Sequence, residues 1–136
     1  MFDPALLMQY LLGTWKCTFH GAGTQIAYTA TYSRGFAKPW IRQTDTWTGG
    51  GSDEGLYAID PGTKRWTAVF LEPNGSTTVL SAMPTGETRI DYHSAYPDHS
   101  ATEVFQRVSG SQYTLNYSQT LHGKTTRSHD VCTKDR

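Results

Sequence analysis

From residue 14 onward, apolar and polar side chains alternate with a period of two, and Gly, Pro, Asn, Asp or Ser interrupts the alternation at intervals of about ten residues. Only the first dozen residues follow another rhythm. Leu7 and Leu11, and likewise Met8 and Leu12, repeat at four-residue spacing, with Asp3 as cap, Pro4 in the first turn and Gly13 as stop. A helix is therefore predicted over residues 3–12. A helix this short does not persist alone in water, so its apolar stripe must cover something, most simply the open end of a sheet or barrel.

The alternation predicts about ten strands, over residues 14–20, 24–33, 40–48, 54–59, 65–72, 76–82, 87–96, 101–108, 112–120 and 124–133. Trp15, Cys17 and Phe19 share one face of the first; Ile26, Tyr28, Ala30 and Tyr32 share one of the second. In the third, Arg42 falls on the face of Trp40, Thr44 and Thr46, and in the fifth Glu72 falls with Trp66, Ala68 and Phe70. Asp60-Pro61-Gly62 and Pro73-Asn74-Gly75 supply strong turns. No second helix is long enough for a crossover, which excludes a parallel α/β sheet and leaves a sandwich or a barrel. Consecutive hairpins that did not close would leave the first and last strands as exposed edges. The expected fold is thus all-β, a closed antiparallel up-and-down barrel with a short N-terminal helix, forming one domain over residues 1–136.

The two cysteines, Cys17 and Cys132, fall on the first and last predicted strands. They are either two buried inert thiols or one disulfide formed in an oxidising compartment, and the disulfide is the expectation carried forward. If they pair across antiparallel neighbours, Phe19 faces Asp130 and Trp15 faces Lys134. Neither cysteine belongs to a CxxC pair, and no HExxH spacing is present, so no metal site is expected.

Charge narrows the partners. Lys plus Arg is 12 and Asp plus Glu is 12, which leaves no electrostatic footprint for a nucleic acid. No apolar run approaches the roughly 20 residues of a membrane-spanning helix. A monomer or homodimer is expected.

The stretch Leu11-Leu12-Gly13-Thr14-Trp15-Lys16-Cys17, a helix running into Gly-x-Trp at the first strand, resembles the opening of the calycin barrels: lipocalins, fatty-acid-binding proteins and nitrobindins. Thr29-Ala30-Thr31-Tyr32, Ser52-Asp53-Glu54-Gly55, Tyr92-His93-Ser94 and Ser128-His129-Asp130-Val131-Cys132 extend the likeness to exported bacterial lipocalin-like proteins that carry a cysteine after Gly-x-Trp and another near the C-terminus. The resemblance implies a barrel and a periplasmic or secreted protein, with an export signal expected ahead of the given sequence. It brings no activity to carry over. Nitrobindins hold haem through a histidine on the last strand, and His129 occupies a comparable place, although the aromatic and glycine-rich motifs of that haem pocket are not recognisable here. No cofactor is expected, and haem through His129 is the one alternative considered.

Among residues able to carry chemistry, His93 and His129 sit well inside predicted strands, whereas His99 and His122 sit in turns and His20 near a strand end. Glu72 is the carboxylate singled out, with Asp45, Asp53, Glu54, Asp91 and Glu103 as further acids. An inward Arg42 or Arg127 would suit an anionic headgroup, or an arginine would stack on Trp15 at the barrel floor. Aromatic residues make up 12% of the chain, more than a barrel floor requires. Tyr28, Trp40, Arg42, Trp66, Phe70, Tyr92 and Tyr117 are therefore expected to line a pocket for a small hydrophobic, aromatic or amphipathic ligand. The alternative is an enzyme of isomerase, cyclase or lyase type with His93, His129 or Glu72 as acid or base. No GxSxG elbow is present, which argues against nucleophilic hydrolysis.

Overall fold

A computed structural model describes residues 4–84 and 86–135; the Asp3 cap lies outside the described residues. Helix α1 (Pro4–Leu11) is followed by ten strands: β1 (Gly13–Gly21), β2 (Thr24–Arg34), β3 (Ile41–Trp47), β4 (Ser52–Ile59), β5 (Trp66–Leu71), β6 (Thr77–Ala82), β7 (Arg89–Tyr96), β8 (Ala101–Ser109), β9 (Gln112–Leu121) and β10 (Lys124–Lys134). Each strand pairs antiparallel with its sequence neighbours, and β10 pairs with β1 to close the ring. Closure satisfies the backbone donors and acceptors that two free edges would have exposed.

The closing register is the one expected from the cysteines: Trp15 faces Lys134, Phe19 faces Asp130, and Cys17 faces Cys132, to which it is disulfide-bonded. Ring closure and the covalent link therefore lie on the same seam.

The helix stops one end of the barrel. Leu7, Met8 and Leu11 turn inward and are buried, which at roughly 1.5–3 kcal/mol per side chain holds a helix of eight residues that propensity alone would not. Trp15, with no exposed surface, lies directly beneath and donates its indole N–H to the Leu11 carbonyl at 2.8 Å. Gly13 makes the corner between helix and strand at φ +118°, and a β-carbon there would stand 2.9 Å from Lys134 Nζ. That lysine closes the floor from below: its ammonium donates to the Leu12 carbonyl and lies 4.8 Å from the Trp15 ring centroid. The stacking role expected of an arginine falls to Lys134.

Above Trp15 this half of the barrel is filled by side chains. Tyr113 packs edge-on against Trp15 at 4.7 Å and shares a 2.8 Å hydroxyl contact with Tyr32, while Ile41, Leu80 and Ile90 complete the packing. Among the described residues no helix is long and apolar enough to cross a membrane.

Candidate functional site

Strand β1 runs away from the helix, so its later inward residue, Phe19, belongs to the opposite end of the barrel. There the filling stops and leaves a cavity of about 180 Å³. Its apolar wall comes from Phe19, Trp47, Phe70 and Leu115, and its polar groups come from Tyr28, Gln43, Asp45, Tyr57, Glu103, Tyr117, Ser128 and Asp130. Among the described residues the wall contains three carboxyl groups and no lysine, arginine or histidine.

Strand phase explains how these residues meet. In β3 the buried positions are Ile41, Gln43 and Asp45, so the polar pair Gln43 and Asp45 points into the barrel and Arg42 points out. The Gln43 amide donates to both Asp45 oxygens at 2.7 and 2.9 Å, and the Tyr57 hydroxyl donates to Gln43 Oε1. Asp53 lies directly across the β3–β4 ladder from Asp45 and accepts the Trp47 indole N–H at 3.0 Å. On β10, Asp130 accepts the Tyr28 hydroxyl, and that phenol lies 3.9 Å from Cys132 Sγ. Trp47 stacks on Tyr28 with ring centroids 4.3 Å apart.

Glu103 differs from the other two cavity carboxyls. It sits between Tyr92 on β7 and Tyr117 on β9, lines the cavity, and makes no side-chain hydrogen bond or ion pair among the described residues.

Burial without cations sets the electrostatics. Desolvation, then the facing Asp53 carboxyl, pushes Asp45 up to about 9, against the opposing effect of the Gln43 amide. Desolvation and the nearby Asp130 raise Glu103 to about 7. Asp130 is itself raised by burial, opposed by the Tyr28 hydroxyl and by His129 and His20. Burial also holds Tyr28, Tyr57 and Tyr117 above the usual phenol value, so at neutral pH they remain hydrogen-bond donors.

The residues singled out in the sequence divide by strand phase. Tyr28, Phe70 and Tyr117 line the cavity. Trp66 and Tyr92 point inward but are buried in the filled part, and Trp66 Nε1 has no hydrogen-bond partner among the described residues. Arg42 is exposed on the outer surface, which corrects the expectation of an inward arginine, and Arg127 is exposed as well. Trp40 also lies outside: it precedes β3, stacks on Phe36 at 6.0 Å and borders an outer hollow with Pro39, Ile59 and Pro61. His93 alternates outward from the buried Tyr92 and Ser94. His129 lies on the outer face beside His20, with its Nδ1 2.7 Å from Asn116 Oδ1, so a haem inside the barrel would not meet it. Glu72 is exposed in the turn after β5, where burial and Asp53 raise its carboxyl.

Asp130 was within reach of the sequence, since the cysteine register sets it opposite Phe19 and facing residues share a face. Gln43 gave no such signal. A polar residue between Arg42 and Thr44 carries no mark of the inner face until its strand is paired with the buried Tyr32.

The barrel is similar to the S-type phycobiliprotein lyase CPES from Guillardia theta, with a TM-score of 0.63 over 99% of this chain and 94% of that one, at 13% sequence identity. That likeness supports a calycin-like fold, as the Gly-x-Trp opening implied, and concerns the fold alone. No protein-family profile and no curated protein matches the chain.

Proposed function

We propose that the protein binds a small amphipathic molecule in the end of the barrel remote from α1. The observation that carries this reading is the cavity of about 180 Å³, whose aromatic wall and carboxyl groups are left unfilled by the chain itself. A dry apolar cavity of about 150 Å³ is enough to admit benzene, and pockets for drug-sized ligands begin near 300 Å³. The occupant is therefore of about one ring with a short polar arm, too large for a single water and too small for a tetrapyrrole. A periplasmic or extracellular setting agrees with the Cys17–Cys132 disulfide.

Trp47 provides the test, because it is the one tryptophan in the cavity wall. Saturable quenching by 2-phenylethanol or benzyl alcohol, lost in Trp47→Phe while calorimetric binding persists, is the expected result. Absence of saturation by every such probe up to about 1 mM would refute the reading.

A second reading has its own observation. Glu103, raised to about 7 in the cavity, exchanges a proton near neutral pH, as a general acid or base of an isomerase, cyclase or lyase must. A reacting group in the cavity would meet Glu103 and Asp45, whereas His93, His129 and Glu72 stand outside it. Turnover of a bound compound that disappears in Glu103→Gln with binding retained would favour this reading.

A further inference from the structure

We propose that the molecule bound in the cavity is a cation, a protonated amine on a small aromatic or aliphatic frame, whose ammonium group is seated against Glu103. This rests on the binding reading above and names the ligand class.

Two separate features lead to it. The first is the wall itself: three carboxyl groups and three tyrosines line the space, and among the described residues no basic side chain enters it. The second is the state of Glu103. The hydrogen bonds of Asp45 and Asp130 are supplied from within the wall, by Gln43 and Tyr28. Glu103 has no such partner among the described residues, although it lines the same cavity and is half-buried there. Desolvated by its surroundings and without a partner of its own, this carboxyl would gain strongly from a charge-assisted donor arriving from the cavity. An anionic ligand would have to approach three acids with no counter-charge, and a purely apolar one would leave the polar groups as they are. Stacked on Tyr28, Trp47 offers an aromatic surface to the rest of the frame, and aromatic faces also attract cations.

The proposal has a proton signature. Glu103 is bordered by Tyr92 on β7 and Tyr117 on β9, with Asp130 on β10, Asp45 on β3, and Tyr57 and Tyr113 further across the interior. Every one of these groups is acidic or phenolic, so none offers Glu103 a positive charge. An arriving ammonium supplies it, favours the ionised carboxylate and releases the proton that Glu103 holds. Affinity then rises with pH by up to about tenfold per unit while Glu103 is protonated in the free protein, and levels off once it is ionised.

The experiment compares three probes of one shape by isothermal titration calorimetry: 2-phenylethylamine, 2-phenylethanol and 3-phenylpropionate. Titrations run from pH 5.5 to 8 in buffers of differing ionisation enthalpy. The expected order is amine, then alcohol at least about tenfold weaker, then carboxylate with no measurable binding, and only the amine releases a proton at pH 6. Glu103→Gln should abolish the proton release and the amine's advantage over the alcohol, with an unchanged near-UV dichroism spectrum confirming the fold. Carboxylate binding as tight as the amine, or an amine preference untouched in Glu103→Gln, would overturn the proposal. If the alcohol binds and the amine is no tighter, the amine proposal falls and the cavity reading stands. If none of the three binds, both fall.

Discussion

Replacing Glu103 by glutamine should stabilise the folded protein at pH 8 and not at pH 4. The carboxyl has an ordinary value of 4.5 and is raised to about 7 by desolvation and by Asp130. Below 4.5 it is protonated both folded and unfolded, and contributes no pH dependence. Between 4.5 and about 7 the unfolded chain releases the proton while the folded chain retains it, so folding stability falls as pH rises, and above about 7 the loss is complete. At about 1.4 kcal/mol per pH unit, the full loss is about 3 kcal/mol, a large part of the stability of an ordinary domain. Glutamine fills nearly the same volume and does not titrate, so its own burial penalty is constant across the range. Urea unfolding of both proteins at pH 4, 5, 6, 7 and 8 reads the effect as the difference between two curves. The variant keeps a residual slope from Asp45 and Asp130, both also raised, and for that reason the difference is diagnostic. A difference that does not change with pH would show that Glu103 titrates normally in the fold, and the electrostatic account of the cavity would fail with it.

Three further outcomes follow from the geometry. A Cys17→Ala, Cys132→Ala double variant should lose about 5 kcal/mol by denaturant unfolding, since the bond closes a loop with a sequence separation of 115; an unchanged midpoint would show that the link does not constrain the unfolded chain. Trp15→Phe should cost more stability than Trp66→Phe, because Trp15 donates to Leu11 at 2.8 Å whereas Trp66 Nε1 has no partner among the described residues; equal costs measured by thermal melting would contradict the hydrogen-bond assignment. His129→Ala and Arg42→Ala should leave probe affinity within about twofold by calorimetry, while Tyr28→Phe, which removes the donor to Asp130, should raise the Asp130 carboxyl further and change the affinity and its pH profile; the reverse pattern would place the site on the outer surface.

The architecture was legible because a period of two survives in any half-buried strand, and because two cysteines at opposite ends of a hairpin series define one register for closure. The cavity end was harder to read, since it breaks the rule that makes strands readable. Trp40 looked like a core residue and set the phase of its strand, yet it stands before β3 and packs on Phe36, while the inward positions carry Gln43 and Asp45. Glu72 was in phase with Trp66, Ala68 and Phe70, but the strand ends at Leu71, and phase has no meaning in the turn beyond. Glu103 was visible as one acid among several; only the pairing of β8 with β7 and β9 shows that it faces the interior between two tyrosines. Polar residues inside a barrel oppose the hydrophobic pattern, and such conflicts collect where a fold is shaped for a ligand.

The seam between β1 and β10 also sets the order of events in making the molecule. Each hairpin can zip as soon as its second half leaves the ribosome, but the last ladder joins residues 15–21 to residues 128–134, the most distant pairing the chain contains. Until β10 arrives, one flank of β1 is open to any passing extended segment, which makes this nascent edge an aggregation risk during synthesis. Because Cys17 and Cys132 face each other only in the closed ring, oxidation of that pair dates the moment when the barrel shuts.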